Sequence, residues 1–93
     1  MSRRSTRYNK RDANEMLLIN TLNDLGSIWI EGGDLDGFAW LGQWVPVEIK
    51  TKEGRLTKGQ QAFIDSCEHF NRPYRIWRTT SDVIKDVQEW RSK

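Results

Sequence analysis

Cysteine is nearly absent from this chain of 93 residues: Cys67 stands alone. That excludes an internal disulfide and a Cys-rich zinc site, and it points to a reducing compartment, with the cytosol the simplest reading. Histidine is as scarce. His69 sits near a predicted helix end and reads as a surface residue, while Cys67, on an apolar helical stripe, reads as core and not as a nucleophile. Long apolar runs are missing too, the longest purely aliphatic one being Met16 to Ile19, so neither secretion nor a membrane span is expected. Internal repeats, low-complexity tracts and Gly/Ser/Pro linkers are also lacking, which leaves one compact domain over residues 12–93 behind a short arm.

Charge is modest in sum and uneven in place. The formal net charge is +2, yet Arg3, Arg4, Arg7, Lys10 and Arg11 crowd into residues 1–11. So polar a segment is expected to be mobile without a partner and suits a polyanion such as a DNA backbone, or serves solubility alone. Five tryptophans are many for this length. Trp29 and Trp77 are expected in the core, whereas Trp40 and Trp44 flank a hairpin tip and Trp90 lies near the C-terminus; an exposed aromatic patch would suggest a dimer interface.

The hairpin is the most informative stretch. Phe38 to Leu41 and Trp44 to Ile49 are apolar runs on either side of Gly42-Gln43, a turn signal between strands. In the second strand Glu48 and Lys50 project from one face and Val45, Val47 and Ile49 from the other. A carboxylate and an ammonium at the end of a core strand are costly to desolvate unless they pair or bind an ion. Asp36 opposes Glu48 only if the loop holds an odd number of residues, as in Leu41-Gly42-Gln43, or if a bulge restores parity. Asp36, Glu48 and the Ile49 carbonyl would then offer the oxygen half-shell that Mg2+ prefers, with Lys50 placed to orient a water or neutralise a phosphate. The plainer reading is an edge-strand ion pair beside a turn aspartate.

Around the hairpin, Asp12 reads as the N-cap of a first helix with a stripe of Met16, Ile19, Leu22 and either Leu18 or Leu25, stopping at Gly26. Glu15 has the spacing of a capping-box glutamate. Ser27 to Glu31 reads as a short buried strand. After the hairpin, Lys52 and Arg55 lie on a polar turn where they would hold phosphates or pair with Glu53. Thr57 caps a second helix with Phe63 or Ile64, Cys67 and Phe70 on one face; Gln60, on the same inward stripe, reads either as a capping-box residue or as an amide that touches an acidic ligand or a substrate phosphate. Tyr74 to Trp77 reads as a strand, and Thr79-Thr80-Ser81-Asp82 opens a last helix with Val83, Ile84, Val87 and Trp90 inward. The expected fold is α/β in the order α-β-β-β-α-β-α, with a right-handed crossover between the last two strands and a mixed sheet flanked by helices.

At Asn14-Glu15, Gly33-Asp34-Leu35-Asp36, Val47-Glu48-Ile49-Lys50 and Gly54-Arg55-Leu56-Thr57-Lys58-Gly59-Gln60, the chain resembles the small VRR-NUC (virus-type replication-repair nuclease) domains of the PD-(D/E)XK superfamily. The resemblance implies a restriction-endonuclease-like core and a Mg2+- or Mn2+-dependent, structure-specific DNA endonuclease. It implies an intracellular homodimer of viral or bacterial type that acts in DNA repair on branched DNA such as Holliday junctions. It also implies Asp36 and Glu48 as metal ligands with the Ile49 carbonyl, Lys50 as the catalytic lysine, Glu15 as the acid of helix one, and Gln60 as a supporting residue. The family often has proline before its acid; here Asp34 and Asp36 compete, and Asp36 is preferred because the apolar strand begins just after it. From a different class, the alternative is a non-catalytic nucleic-acid-binding or assembly module with the same fold.

Overall fold

A computed structural model describes residues 12–93, so the basic residues Arg3, Arg4, Arg7, Lys10 and Arg11 lie outside the described part. Within it the elements follow the expected order: α1 (Ala13–Asp24), β1 (Trp29–Glu31), β2 (Gly37–Trp40), β3 (Trp44–Ile49), α2 (Lys58–His69), β4 (Arg75–Trp77) and α3 (Thr80–Arg91). Local chemistry sets the helix ends. Asp12, Thr57 and Thr79 cap the three N-termini, and reciprocal capping boxes close at Thr57/Gln60 and Thr79/Asp82. Helix α1 stops because Gly26, at φ +89°, turns the chain so that Gly26 N and Ser27 N bond back to Asn23 O and Leu22 O.

The strands form one mixed sheet in the order β1-β2-β3-β4, antiparallel for the first two pairings and parallel between β3 and β4. Trp40 pairs with Trp44, leaving Leu41-Gly42-Gln43 as a three-residue loop, the odd length the carboxylate parity requires. Gly42 sits at φ +85° with Trp90 packed over it, and a Cβ there would lie 2.7 Å from Trp90 Cδ1. The end of α3 is thereby fixed against the hairpin tip.

Strand alternation gives the sheet two unlike faces. Ala39, Val45, Val47, Ile49 and Trp77 turn inward and join Leu18, Ile19 and Leu22 of α1 and Val83 and Val87 of α3 in one core cluster. Trp77 is fully buried, and its Nε1 donates to Asp86 Oδ2 at 2.7 Å, so its polar handle is satisfied. The opposite face presents Phe38, Trp40, Trp44, Pro46 and Glu48, with Ile28 and Ile30 alongside by register. Helix α2 reaches the Glu48 end of this face through Gln60, and its buried Ile64 and Cys67 stand apart from the main cluster.

Several expectations are corrected. The strand expected to be buried over Ser27 to Glu31 is an edge strand whose Ile28 and Ile30 are 57% and 46% exposed, since alternation turns Trp29 toward the core and those two away from it. Met16 is exposed, and the stripe of α1 is Leu18, Ile19 and Leu22. Phe70 is the C-cap of α2 and is exposed, because Asn71 at φ 57° turns the chain away there; Ile84 is exposed on the far side of α3. Finally, β3 is an interior strand, so Glu48 and Lys50 do not form an edge-strand pair.

Candidate functional site

The hairpin register places Asp36 one step before β2, opposite Glu48 of β3. Asp36 Oδ2 accepts from Ile49 N at 2.6 Å, which ties the aspartate to the main chain beside Glu48. Asp34 is exposed on the preceding loop. It is Asp36, therefore, that comes beside Glu48.

Glu48 is only 3% exposed. One of its oxygens, Oε1, accepts from Gln60 Nε2 at 3.0 Å; the other, Oε2, is buried with no hydrogen-bond partner. Gln60 thus performs both of its expected roles, because its Oε1 also accepts from Thr57 N at 2.9 Å in the capping box of α2. The amide that closes the helix end is the same amide that holds the carboxylate.

Burial, then the charge of Asp36 and a hydrogen bond with its side chain, pushes the Glu48 carboxyl up from 4.5 to about 7, while the Lys50 charge pulls it back down. Two ionised carboxylates cannot hydrogen-bond each other. The unpartnered oxygen is therefore satisfied either by a proton shared with Asp36 or by a cation placed between the two groups. These residues fit a hard divalent cation: two carboxylates converge, and the Ile49 carbonyl shares the direction of the Ile49 N–H, toward Asp36.

The other expected residues are placed as follows. Lys50 follows β3 and is half-buried; its N–H donates to Trp77 O at 3.0 Å, and its charge acts on Glu48. Glu15 lies in the first turn of α1, where its N–H bonds Asp12 Oδ1 at 2.8 Å. Among the described residues no three of His, Cys, Asp and Glu form a metal-binding group. Lys52 and Arg55 are exposed on the turn after Lys50, and neither pairs with Glu53. Cys67 is a buried free thiol whose pKa burial raises, and His69 is exposed, its ring edge-on to Phe70 at 4.7 Å. An open cleft of about 380 Å3, lined by Arg72, Pro73, Tyr74, Arg75 and Ile76, runs along β4 and includes none of the expected site residues.

Two residues escaped the sequence reading. Asn14 donates from Nδ2 to Lys50 O at 3.0 Å, and Arg78 donates from Nη1 to Thr51 O and Gly54 O at 2.8 and 2.7 Å. No local pattern marks either role, because the partners are 36, 27 and 24 residues away. Among the described residues no helix is long and apolar enough to cross a membrane. No protein-family model, curated protein or solved structure matches the chain. The mixed α/β sheet with flanking helices is what the structure establishes.

Proposed function

We propose that the chain is a divalent-metal-dependent DNA endonuclease with a PD-(D/E)XK-type core. The observation that supports this reading most is the buried carboxylate of Glu48, two residues before Lys50, with one oxygen unpartnered and set against Asp36. Asp36, Glu48 and the Ile49 carbonyl would hold Mg2+ or Mn2+. Bound there, the ion would polarise a backbone phosphate and make water a competent nucleophile near neutral pH. Gln60 fixes the orientation of Glu48. The Lys50 ammonium lies near enough to Glu48 to act on its ionisation, a place from which it neutralises charge building on the phosphate under attack. Lys52 and Arg55, exposed on the adjoining turn, contact flanking phosphates without reading base sequence.

Branched DNA such as a four-way junction, cut by a homodimer, is the substrate and assembly that the motif resemblance adds. The outer sheet face supports a dimer. Among the described residues the strands place Ile28, Ile30, Phe38, Trp40, Trp44 and Pro46 there, none of them charged, and Trp40 and Trp44 meet edge to face at 5.1 Å.

A second reading has its own observation. Asp36 spends Oδ2 on Ile49 N, and Glu48 rises to about 7, as expected if the pair shares a proton and serves a binding module without catalysis. The experiment compares wild type and Glu48→Ala on end-labelled four-way junction, linear duplex and single strand, with Mg2+, Mn2+ or chelator. Metal-dependent cutting by wild type that falls at least about 100-fold in the variant is expected. Binding of all three DNAs without cutting any of them would leave the module reading.

A further inference from the structure

From the contacts around the end of β3 we infer that Asn14 and Arg78 are positioning residues for Lys50 and the basic turn behind it. This rests on the proposed nuclease reading, which gives Lys50 a substrate to act on.

Both main-chain groups of Lys50 are held. Its N–H donates to Trp77 O at 3.0 Å in the parallel pairing with β4, and its carbonyl accepts from Asn14 Nδ2 at 3.0 Å. Asn14 lies in the first turn of α1, and the same Nδ2 reaches Arg78 O at 3.5 Å. One amide thus spans the two chains as they leave the sheet side by side. A lysine side chain has four rotatable bonds, so its ammonium is placed only as well as its root, and the root here is clamped from two sides.

The turn behind Lys50 has little structure of its own. Its internal main-chain bond is Gly54 N to Thr51 O at 3.1 Å, and the carbonyls of such a turn need donors from elsewhere. Arg78 supplies them: Nη1 donates to Thr51 O at 2.8 Å and Gly54 O at 2.7 Å, with Lys52 O at 3.4 Å. Its main chain is anchored in turn, since Arg78 N donates to Asp82 Oδ2 at 2.8 Å, the carboxylate that closes the capping box of α3. The turn presenting Lys52 and Arg55 is therefore fastened to α3 through Arg78, and its entry at Lys50 to α1 through Asn14.

The test uses the full chain with Asn14→Ala, Arg78→Lys and Gly54→Ala. The glycine variant pushes on the same turn from outside the core, where a Cβ would meet Thr51 Oγ1 at 3.0 Å. Three quantities are read: cleavage rate at saturating four-way junction with Mn2+, junction Kd in chelator, and thermal midpoint. Displacing the root of Lys50 should slow cleavage by about 10- to 100-fold in Asn14→Ala with Kd within about 2-fold of wild type, and loosening the turn in Arg78→Lys should slow it by a similar factor while also weakening Kd, because Lys52 and Arg55 sit on that turn. Gly54→Ala should show a smaller loss of the same kind and an unchanged midpoint, which keeps the test open if the other two variants fold poorly. Cleavage unchanged in all three, or rates that fall only where the midpoint falls, overturns the inference. A weakened Kd with the saturating rate unchanged makes Arg78 a DNA contact and overturns it as well. A wild type that cuts no DNA is a different result: it removes the proposed activity itself.

Discussion

On the inner face of the sheet Ala39, Val45, Val47, Ile49 and Trp77 meet α1 and α3 in a continuous apolar cluster, and the indole N–H of Trp77 is bonded. On the outer face a carboxylate with an unpartnered oxygen lies under Gln60 of α2, while Ile28, Ile30 and Trp44 remain largely uncovered. The inner face is what two packed helices make of alternating apolar residues, and each fully buried aliphatic side chain there contributes about 1.5–3 kcal/mol. The outer face gains little of that. It keeps a buried charge site and an open apolar surface, both of which cost stability in an isolated chain. Stability is concentrated on one side of the sheet, and the proposed metal site and the proposed partner surface lie on the other.

The largest effect should come from the inner face. Trp77→Ala removes the largest fully buried side chain and leaves Asp86 without its indole donor, and a loss of about 3–5 kcal/mol in urea unfolding is expected. A loss below about 1 kcal/mol would break the comparison at its root.

Glu48 sharpens it from the other side. Its carboxyl is raised from 4.5 to about 7 in the folded chain, so folding favours the protonated form. Stability from this group is complete below about pH 4.5 and is lost as pH rises through about 7, a fall on the order of 3 kcal/mol. Glu48→Gln should flatten that fall, matching wild type near pH 4 and exceeding it at pH 8. Saturating Mn2+ at pH 8 should raise the melting temperature of wild type and leave Glu48→Gln nearly unmoved. Equal response to Mn2+ in both proteins would show that the carboxylates do not hold the ion and would favour the shared-proton pair.

The smallest effect on stability belongs to the open surface. Trp44→Glu is expected to cost about 1 kcal/mol in urea unfolding of the monomer, because the residue is 42% exposed and gives up mainly its edge-to-face contact with Trp40. The same variant should sediment as a monomer at concentrations where wild type is a dimer. Wild type that is monomeric throughout would remove the outer face as an interface.

Much of this was legible because it is local. Asp12, Thr57 and Thr79 cap helices three residues from the amides they bind, and two apolar runs on either side of Gly42-Gln43 mark the hairpin, whose loop the structure makes three residues long. From that register alone, Asp36 comes opposite Glu48. The pairing of Gln60 with Glu48 was open between two readings, and both hold, because a residue at the third helical position faces the cap and the sheet together. Exposure was read less well. Met16, Phe70 and Ile84 fit apolar stripes by spacing, yet each lies beyond the edge of what its helix covers.

The sequence by itself determined the elements, their caps and the alternation that sends Val45, Val47 and Ile49 one way and Glu48 the other, since each depends on residues close along the chain. Only the tertiary structure decided that α1 and α3 cover the same face, that Glu48 is buried with one oxygen unpartnered, and that Asn14 and Arg78 hold the chain around Lys50. Those contacts join segments far apart in sequence. They form only when a sheet buried on one side brings the segments together, and no local pattern encodes which distant carbonyl an asparagine or an arginine will meet.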